Sequence, residues 1–424
     1  MPKLSASDNN LRWATVGLLF IAMVNAYIDR GNISMAAPVL TEELLLSNEK
    51  KGWIFSAFTL GYALMMIPAG RLVDLYGVKR IYTIFYLLWG ICSATFGLAQ
   101  VFWHFVALRV VLGFCEAASG PASFAFIADY FTEKERGLAS GIFLAGTKIG
   151  PAIGAVIAAF LIENFGWRML FVLSGLVPLI WILPWWSWVS KIEKRPHMKV
   201  KDKKDAEIES QNNSVPPKKV GFLDIIKKRK TIGIFLGYFC YGSVWYLYIN
   251  WLPSYLYDSL GLSIKDTGWW AAYAYGGLAV VTILAGFAAD KLIAAGGTET
   301  KVRIRFIVAG FLCGAAIMLI PYVEGQTAIF TVLLIAISGM GLATANTWAI
   351  MQTIAPKGTV GTLSGIQNFG ATSGGFLAPL LAGYAVGDSN NYNTVFIVAG
   401  ALMLIGILSY VAVIGKVEEL EFET

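Results

Sequence analysis

Twelve apolar runs, each long enough to cross about 30 Å of hydrocarbon, leave this chain few ways to fold. They fall at 13–39, 52–73, 80–100, 102–128, 138–163 and 167–190, then at 231–258, 266–292, 303–322, 327–353, 360–386 and 392–415. Lipid offers backbone groups no water to bond, so runs of this length must be helices. The expectation is an all-α membrane protein. A length of 424 residues would otherwise suggest two or three soluble domains, but 57% of the residues are hydrophobic and only 14% charged. That balance belongs to a multi-pass protein.

The runs are grouped as six, a break and six. Residues 1–190 form an N-terminal six-helix bundle, 191–230 a linker and 231–424 a second six-helix bundle. The linker carries 13 Lys/Arg and little that could build a core. An even number of spans puts both termini and this linker on one side. That side holds 26 Lys/Arg, the other only Lys50, Lys51, Arg168 and Lys265. The positive-inside rule therefore places both termini and the linker in the cytoplasm. The polar residues before the first span are followed by no cleavage pattern, so that span is expected to be a retained helix.

The net charge of +6 does not point to nucleic acid, because the basic residues are scattered between spans. Cys92, Cys115, Cys240 and Cys313 stand singly in apolar segments, without metal-ligand spacing, and read as small core residues. His104 and His197 lie away from span centres, which argues against a histidine relay or metal site. There is no nucleophile–base pair and no soluble catalytic or signalling domain. An enzyme is not expected, nor a cofactor.

The two halves repeat each other. Ser-Gly-Ile, then Gly, then Gly recurs at one offset in "SGIFLAGTKIG" (140–150) and "SGIQNFGATSG" (364–374). "LFVLSG" (170–175) and "VFIVAG" (395–400) continue the match, and "GRLVDLYGVKR" (70–80) has a shorter echo in "GFAADKL" (286–292). Duplicated six-helix halves related by a pseudo-two-fold axis suit a protein that rocks around a central site. Gly141, Gly146, Gly150 and Gly154, with Gly365, Gly370 and Gly374, read as small-residue faces along which helices approach.

Five ionisable residues lie deep within spans: Asp29, Arg30, Arg109, Glu116 and Lys148, all in the first half. A charge at mid-span costs about 2.5–3.5 kcal/mol on insertion scales. A fixed ion-pair network for packing is one reason to keep them, yet apolar side chains would do that without the desolvation. Coupling is the stronger reason. A carboxyl group in a low-dielectric cavity can change its charge near neutral pH, whereas arginine stays charged. Asp29 and Glu116 can then load and release protons beside two fixed positive charges. Guanidinium grips a carboxylate through two hydrogen bonds, which suits an organic anion better than a neutral sugar. Arg109 and Glu116, seven apart, share a helix face. Asp29 and Arg30 stand about 100° apart around the axis, so they cannot face one partner. Asp29 is expected to turn to a neighbouring helix and Arg30 to a cavity.

Lys148, beside Thr147, admits three readings: a lysine snorkelling to the interface, a second positive charge at the cavity favouring a doubly charged acid, or a partner for Glu116. The second half offers Tyr238, Asn250, Asn346, Thr347, Trp348, Gln352 and Asn368. Interhelical hydrogen bonding accounts for Tyr238, Asn346 and Gln352. A tryptophan face with amide and hydroxyl groups suits a polyol, apolar on one side and hydroxylated on the other.

The six-plus-six plan, the long basic loop and "GRLVDLYGVKR" resemble the major facilitator superfamily. Within it, "YIDRGNIS" in span one, "ALRVVLGFCEAASGP" in span four, "WLPSYL" in span seven and "NTW…APKGTVGTLSGIQNFG" in spans ten and eleven resemble the anion:cation symporter family. That family includes bacterial sugar-acid/proton symporters of the galactonate, glucarate and hexuronate types, and animal sialin. The resemblance implies that Asp29 and Glu116 are proton sites and that Arg30 holds the substrate carboxylate. Arg109 would link the two events by pairing with the acids. Tyr62, Trp348 and Asn368 match substrate-contacting positions, and Thr147, Lys148 and Thr347 join them as candidates. At Lys148 the sugar-acid transporters carry a polar amide instead. Arg71, Asp74 and Arg80 read as a cytoplasmic gating latch. The implied protein is a monomer in the bacterial cytoplasmic membrane that imports a carboxylated sugar with protons. An antiporter or exporter, hinted at by Gly150-Pro151, and a sodium-coupled carrier are its rivals.

Overall fold

A computed structural model describes residues 5–199, 222–356 and 359–420; of the expected linker, 200–221 lie outside the described residues. The described chain is built of helices. α1 (Ala6–Leu44) starts where the Ser5 hydroxyl accepts the Asp8 N–H, and α2 (Asn48–Tyr76) starts at Ser47 in the same way. Serine at these positions satisfies one of the donors a helix start leaves free. α3 (Val78–Thr95), α4 (Phe102–Glu116), α5 (Ser119–Tyr130), α6 (Glu133–Leu176) and α7 (Ile182–Glu193) follow. After a short turn, α8 (Phe222–Ile226), come α9 (Arg229–Ser254), α10 (Ile264–Ala294) and α11 (Glu299–Ala315). The chain ends with α12 (Gln326–Gly339), α13 (Gly341–Ile354), α14 (Val360–Val386) and α15 (Asn393–Leu408).

Eleven helical runs among the described residues are long and apolar enough to cross a membrane. One, Glu135–Glu193, spans 59 residues, about twice what a bilayer requires. It turns at Gly166, whose φ of 79° and ψ of 164° leave the helical region, and so contains the fifth and sixth expected crossings. Spans four and ten are each broken at mid-depth, the former immediately after Glu116.

The packing repeats between halves. α1 lies along α6 in the first half, and α9 along α14 in the second, which are spans one with five and seven with eleven. Gly150 makes the first contact possible, since a Cβ there would stand 2.7 Å from the Tyr27 Cβ and the Val24 carbonyl. The halves meet through α2 with α14, α6 with α10 and α1 with α9, pairs that a pseudo-two-fold axis exchanges. Of the small-residue faces expected from sequence, Gly146, Gly150, Gly154, Gly370 and Gly374 do abut a neighbouring helix. Gly141 and Gly365 do not: a Cβ on either would meet nothing within 4 Å.

One end of the molecule is latched across the halves. Lys51 Nζ lies 3.4 Å from Asp258 Oδ2. The Asn48 amide donates to the Gly387 carbonyl at 2.6 Å and to Asn390 Oδ1 at 2.7 Å. Tyr257 donates to Glu42 and Thr59 to the Gly375 carbonyl, both at 3.1 Å. Apart from Thr59 and Gly375, which lie deeper along their helices, these residues flank the loops after spans one, seven and eleven. At the end carrying the chain termini, ion pairs such as Arg12–Glu135 and Arg303–Glu299 stay inside one half. Among the described residues, the hydrogen bonds and ion pairs found between the halves gather on the latched side.

Candidate functional site

Asp29 and Arg30 turn apart as helix geometry requires. Asp29, 3% exposed, faces α3. Its Oδ2 accepts the Trp89 indole N–H at 2.5 Å, and its Oδ1 accepts Ser93 Oγ at 3.2 Å and Asn32 Nδ2 at 3.0 Å. Three donors converge on one carboxyl group, which holds it rigidly without an arginine or lysine partner. Arg30 faces the other way. Its guanidinium lies over the rings of Tyr27, Phe58 and Tyr62, with centroids at 4.5, 4.9 and 5.0 Å. Ring faces of this kind attract a cation and favour arginine, whose plane can stack.

Arg30 Nε donates to Glu116 Oε2 at 2.8 Å, a buried pair joining α1 to the end of α4. Nε carries the bond to Glu116, and the guanidinium also lies within hydrogen-bonding reach of the Tyr27 hydroxyl. Glu116 is fully buried and its Oε1 has no partner. Arg109 was expected to pair with the acids and here does not. Its Nε donates to the Ile54 carbonyl at 3.2 Å, its plane lies 4.8 Å from the Phe58 ring centroid, and its Nη1 is buried without a partner. Arg109 and Glu116 stand seven residues apart on α4, about 10 Å of helix rise, and among the described residues no hydrogen bond joins them.

Across the gap, α9 presents an aromatic wall. Tyr238 and Tyr241 stack at 5.5 Å, and the edge of Trp348 meets Tyr238 at 5.7 Å. Tyr27 lies within Coulombic reach of Tyr238 and Tyr241, and Arg30 of Tyr246, so both halves face one central space. Lys148 Nζ sits 4.7 Å from the Trp245 ring centroid and 6.0 Å from that of Tyr241. It neither snorkels nor reaches Glu116.

The structure thus brings Asp29, Arg30, Tyr62, Arg109 and Glu116 into one neighbourhood, with Lys148 and Trp348 along the aromatic wall. Thr147, Tyr62, Trp348 and Asn368 are half-buried. Thr347 is placed differently: it is 1% exposed and its hydroxyl donates to the Thr344 carbonyl of its own helix. Arg71, Asp74 and Arg80 are exposed and, among the described residues, form no ion pair within 4 Å; at this corner Lys79 pairs with Glu193. Asn346 accepts from Arg303 at 3.3 Å and Asn250 donates to its own helix, which are structural roles. Sequence reasoning missed Tyr27, Trp89 and Ser93. Tyr27 precedes Arg30 by three and shares its face, a signal that was available. Nothing local ties Trp89 to Asp29, sixty residues away. Among the described residues no group of three His, Cys, Asp or Glu is placed to hold a metal ion.

The chain is similar to named transporters over nearly its whole length. It is 28% identical to a D-galactonate transporter of Escherichia coli, covering 99% of each chain. A probable galactarate/D-glucarate transporter of the same species is also 28% identical, over 97% of this chain and 96% of that one. A probable sulfoacetate transporter of Cupriavidus necator is 29% identical, over 94% and 93%. Among solved structures, a D-xylose–proton symporter superposes with a TM-score of 0.75 at 13% identity, covering 96% of this chain and 99% of that one. An inward-facing bacterial homologue of the lysosomal transporter Spinster gives 0.70 at 20% identity, covering 95% and 94%. Residues 19–379 match the sequence profile of the Major Facilitator Superfamily. On that match, with the duplicated helical halves closing over a central space, the chain belongs to the Major Facilitator Superfamily.

Proposed function

We propose that the protein is a proton-coupled symporter that imports a sugar acid, such as galactonate, gluconate, glucarate or a hexuronate, by alternating access. The observation that carries this reading is the buried Arg30–Glu116 pair at 2.8 Å. A fixed cation meets a group that can lose its charge by taking a proton. The named relatives support the choice of cargo.

Protons from outside load Asp29 and Glu116. Protonation of Glu116 cancels its hold on Arg30, which then takes the substrate carboxylate through two parallel hydrogen bonds. Tyr62, Thr147, Trp348 and Asn368 meet the hydroxylated chain. With both carboxyl groups neutral and the substrate carboxylate on Arg30, neither acid carries a negative charge through the dry centre as the halves rock. Arg109, with its unpartnered Nη1, is the group poised to reclaim Glu116 once the substrate leaves. Two acids per cycle would move more than one proton per monoanion and make uptake electrogenic. Arg71, Asp74 and Arg80 latch when the cytoplasmic end closes. The chain works as a monomer in a bacterial cytoplasmic membrane, with the latched end outside, both termini in the cytoplasm and no cofactor.

A second reading, carriage of a small non-sugar organic acid, is favoured by the relative named for sulfoacetate. Uptake by proteoliposomes under an inward proton gradient, across a panel of sugar acids and small carboxylates, tests both. Accumulation of a sugar acid that collapses with a protonophore is the expected result. Accumulation that follows a sodium gradient at fixed pH would overturn it.

A further inference from the structure

The deep charges in the first half do not balance. Asp29 and Glu116 offset Arg30 and Arg109, and Lys148 is left over. Its ammonium has three donors to satisfy, yet no carboxylate lies within 4 Å of it among the described residues. Its close neighbours are the faces of Trp245 and Tyr241 on α9, at 4.7 and 6.0 Å. Ring faces offset only part of the cost of drying an ammonium group. The site is short of one anion.

The position of Lys148 says where that anion belongs. It is carried by α6, packed directly on α1, which carries Arg30; Gly150 touches Tyr27, and Tyr27 stacks on Arg30. The two cations therefore stand on neighbouring helices whose axes lie about 8–10 Å apart. Lys148 meets one end of the aromatic wall, Tyr241 to Tyr238 to Trp348, that lines the far side of the same space. An acid with a negative group at each end spans this arrangement. One with a single carboxylate occupies Arg30 and leaves Lys148 uncompensated.

We propose that Lys148 is a second anion subsite and that the preferred cargo is a sugar diacid, one carboxylate on Arg30 and the other on Lys148. This rests on the sugar-acid reading above and narrows it. The test compares galactarate with galactonate, which differ by one terminal carboxylate, on the purified full-length protein by titration calorimetry. Galactarate is expected to bind about tenfold tighter or more. Lys148→Gln should shrink that preference to within about threefold, and Lys148→Arg, which keeps the charge, should preserve most of it. Equal affinities in the wild type, or a preference that survives Lys148→Gln, overturns the second subsite alone. If Lys148→Gln does not fold, the wild-type ratio and Lys148→Arg decide the matter. Binding of neither acid, nor of gluconate, glucarate or a hexuronate, removes the sugar-acid reading and this inference with it.

Discussion

Glu116 meets Arg30 with one carboxylate oxygen at 2.8 Å and keeps the other, Oε1, buried without a partner. Half of the carboxylate is engaged and half is idle, in a place where an idle polar atom is costly. A purely structural ion pair would be expected to use both oxygens. Removing one member leaves its partner buried and uncompensated, so Arg30→Met should destabilise the protein by about 3–5 kcal/mol. Arg30→Met combined with Glu116→Leu should cost less than Arg30→Met alone. Thermal unfolding in detergent measures both; simple addition of the two effects would mean the pair is not energetically coupled.

Gly52 fixes how tightly the latched end closes. A Cβ there would sit 3.0 Å from the Pro379 and Leu380 carbonyls of α14, so a large side chain must push the halves apart. Gly52→Trp is predicted to hold this end open, cutting transport to near background while ligand binding persists. Transport at the wild-type rate would show that this contact does not have to form.

Lys51, 2% exposed, depends on Asp258 for its counter-charge across the same latch. Asp258→Asn strands it, and the latched state should lose about tenfold in population for each 1.4 kcal/mol lost. A cysteine replacing Thr59, buried beneath the latch against Gly375, reports this through a membrane-impermeant thiol reagent added at that face. Labelling should speed up in the Asp258→Asn background. An unchanged rate would assign the latch to Asn48 and its hydrogen bonds.

Trp348 meets Tyr238 edge-on at 5.7 Å and is only half-buried, so its face is available to a ligand. Trp348→Ala should raise KM by about tenfold, as loss of an aromatic anchor does, and leave the proton dependence of uptake as it was. A fall in kcat with no change in KM would place Trp348 in the moving parts instead.

The crossings, the duplicated halves and the divergence of Asp29 from Arg30 were legible in the sequence, because each follows from local period and helix geometry. Side-chain direction set by distant neighbours was not. Thr347 lies next to Trp348, yet one turns inward to its own backbone and the other toward the cavity edge. Trp89 and Ser93 look like ordinary core residues until α3 is laid beside α1. Arg71, Asp74 and Arg80 form a motif that reads as a latch, and among the described residues they make no ion pair that would show one. Gly141 and Gly365 tell the same story. Their spacing marks a small-residue face, and in the structure it looks onto open space.

The central claim is a division of labour on one helical turn: Asp29 as the switchable charge and Arg30 as the fixed one. Asp29→Asn tests it most directly, because the amide keeps the size and most hydrogen bonds of the carboxyl group while fixing its charge at zero. Two rates are measured in proteoliposomes, exchange of labelled for unlabelled sugar acid and accumulation under a proton gradient. The account predicts that exchange continues at a rate comparable to wild type and that accumulation disappears. Full accumulation in the Asp29→Asn protein would contradict it.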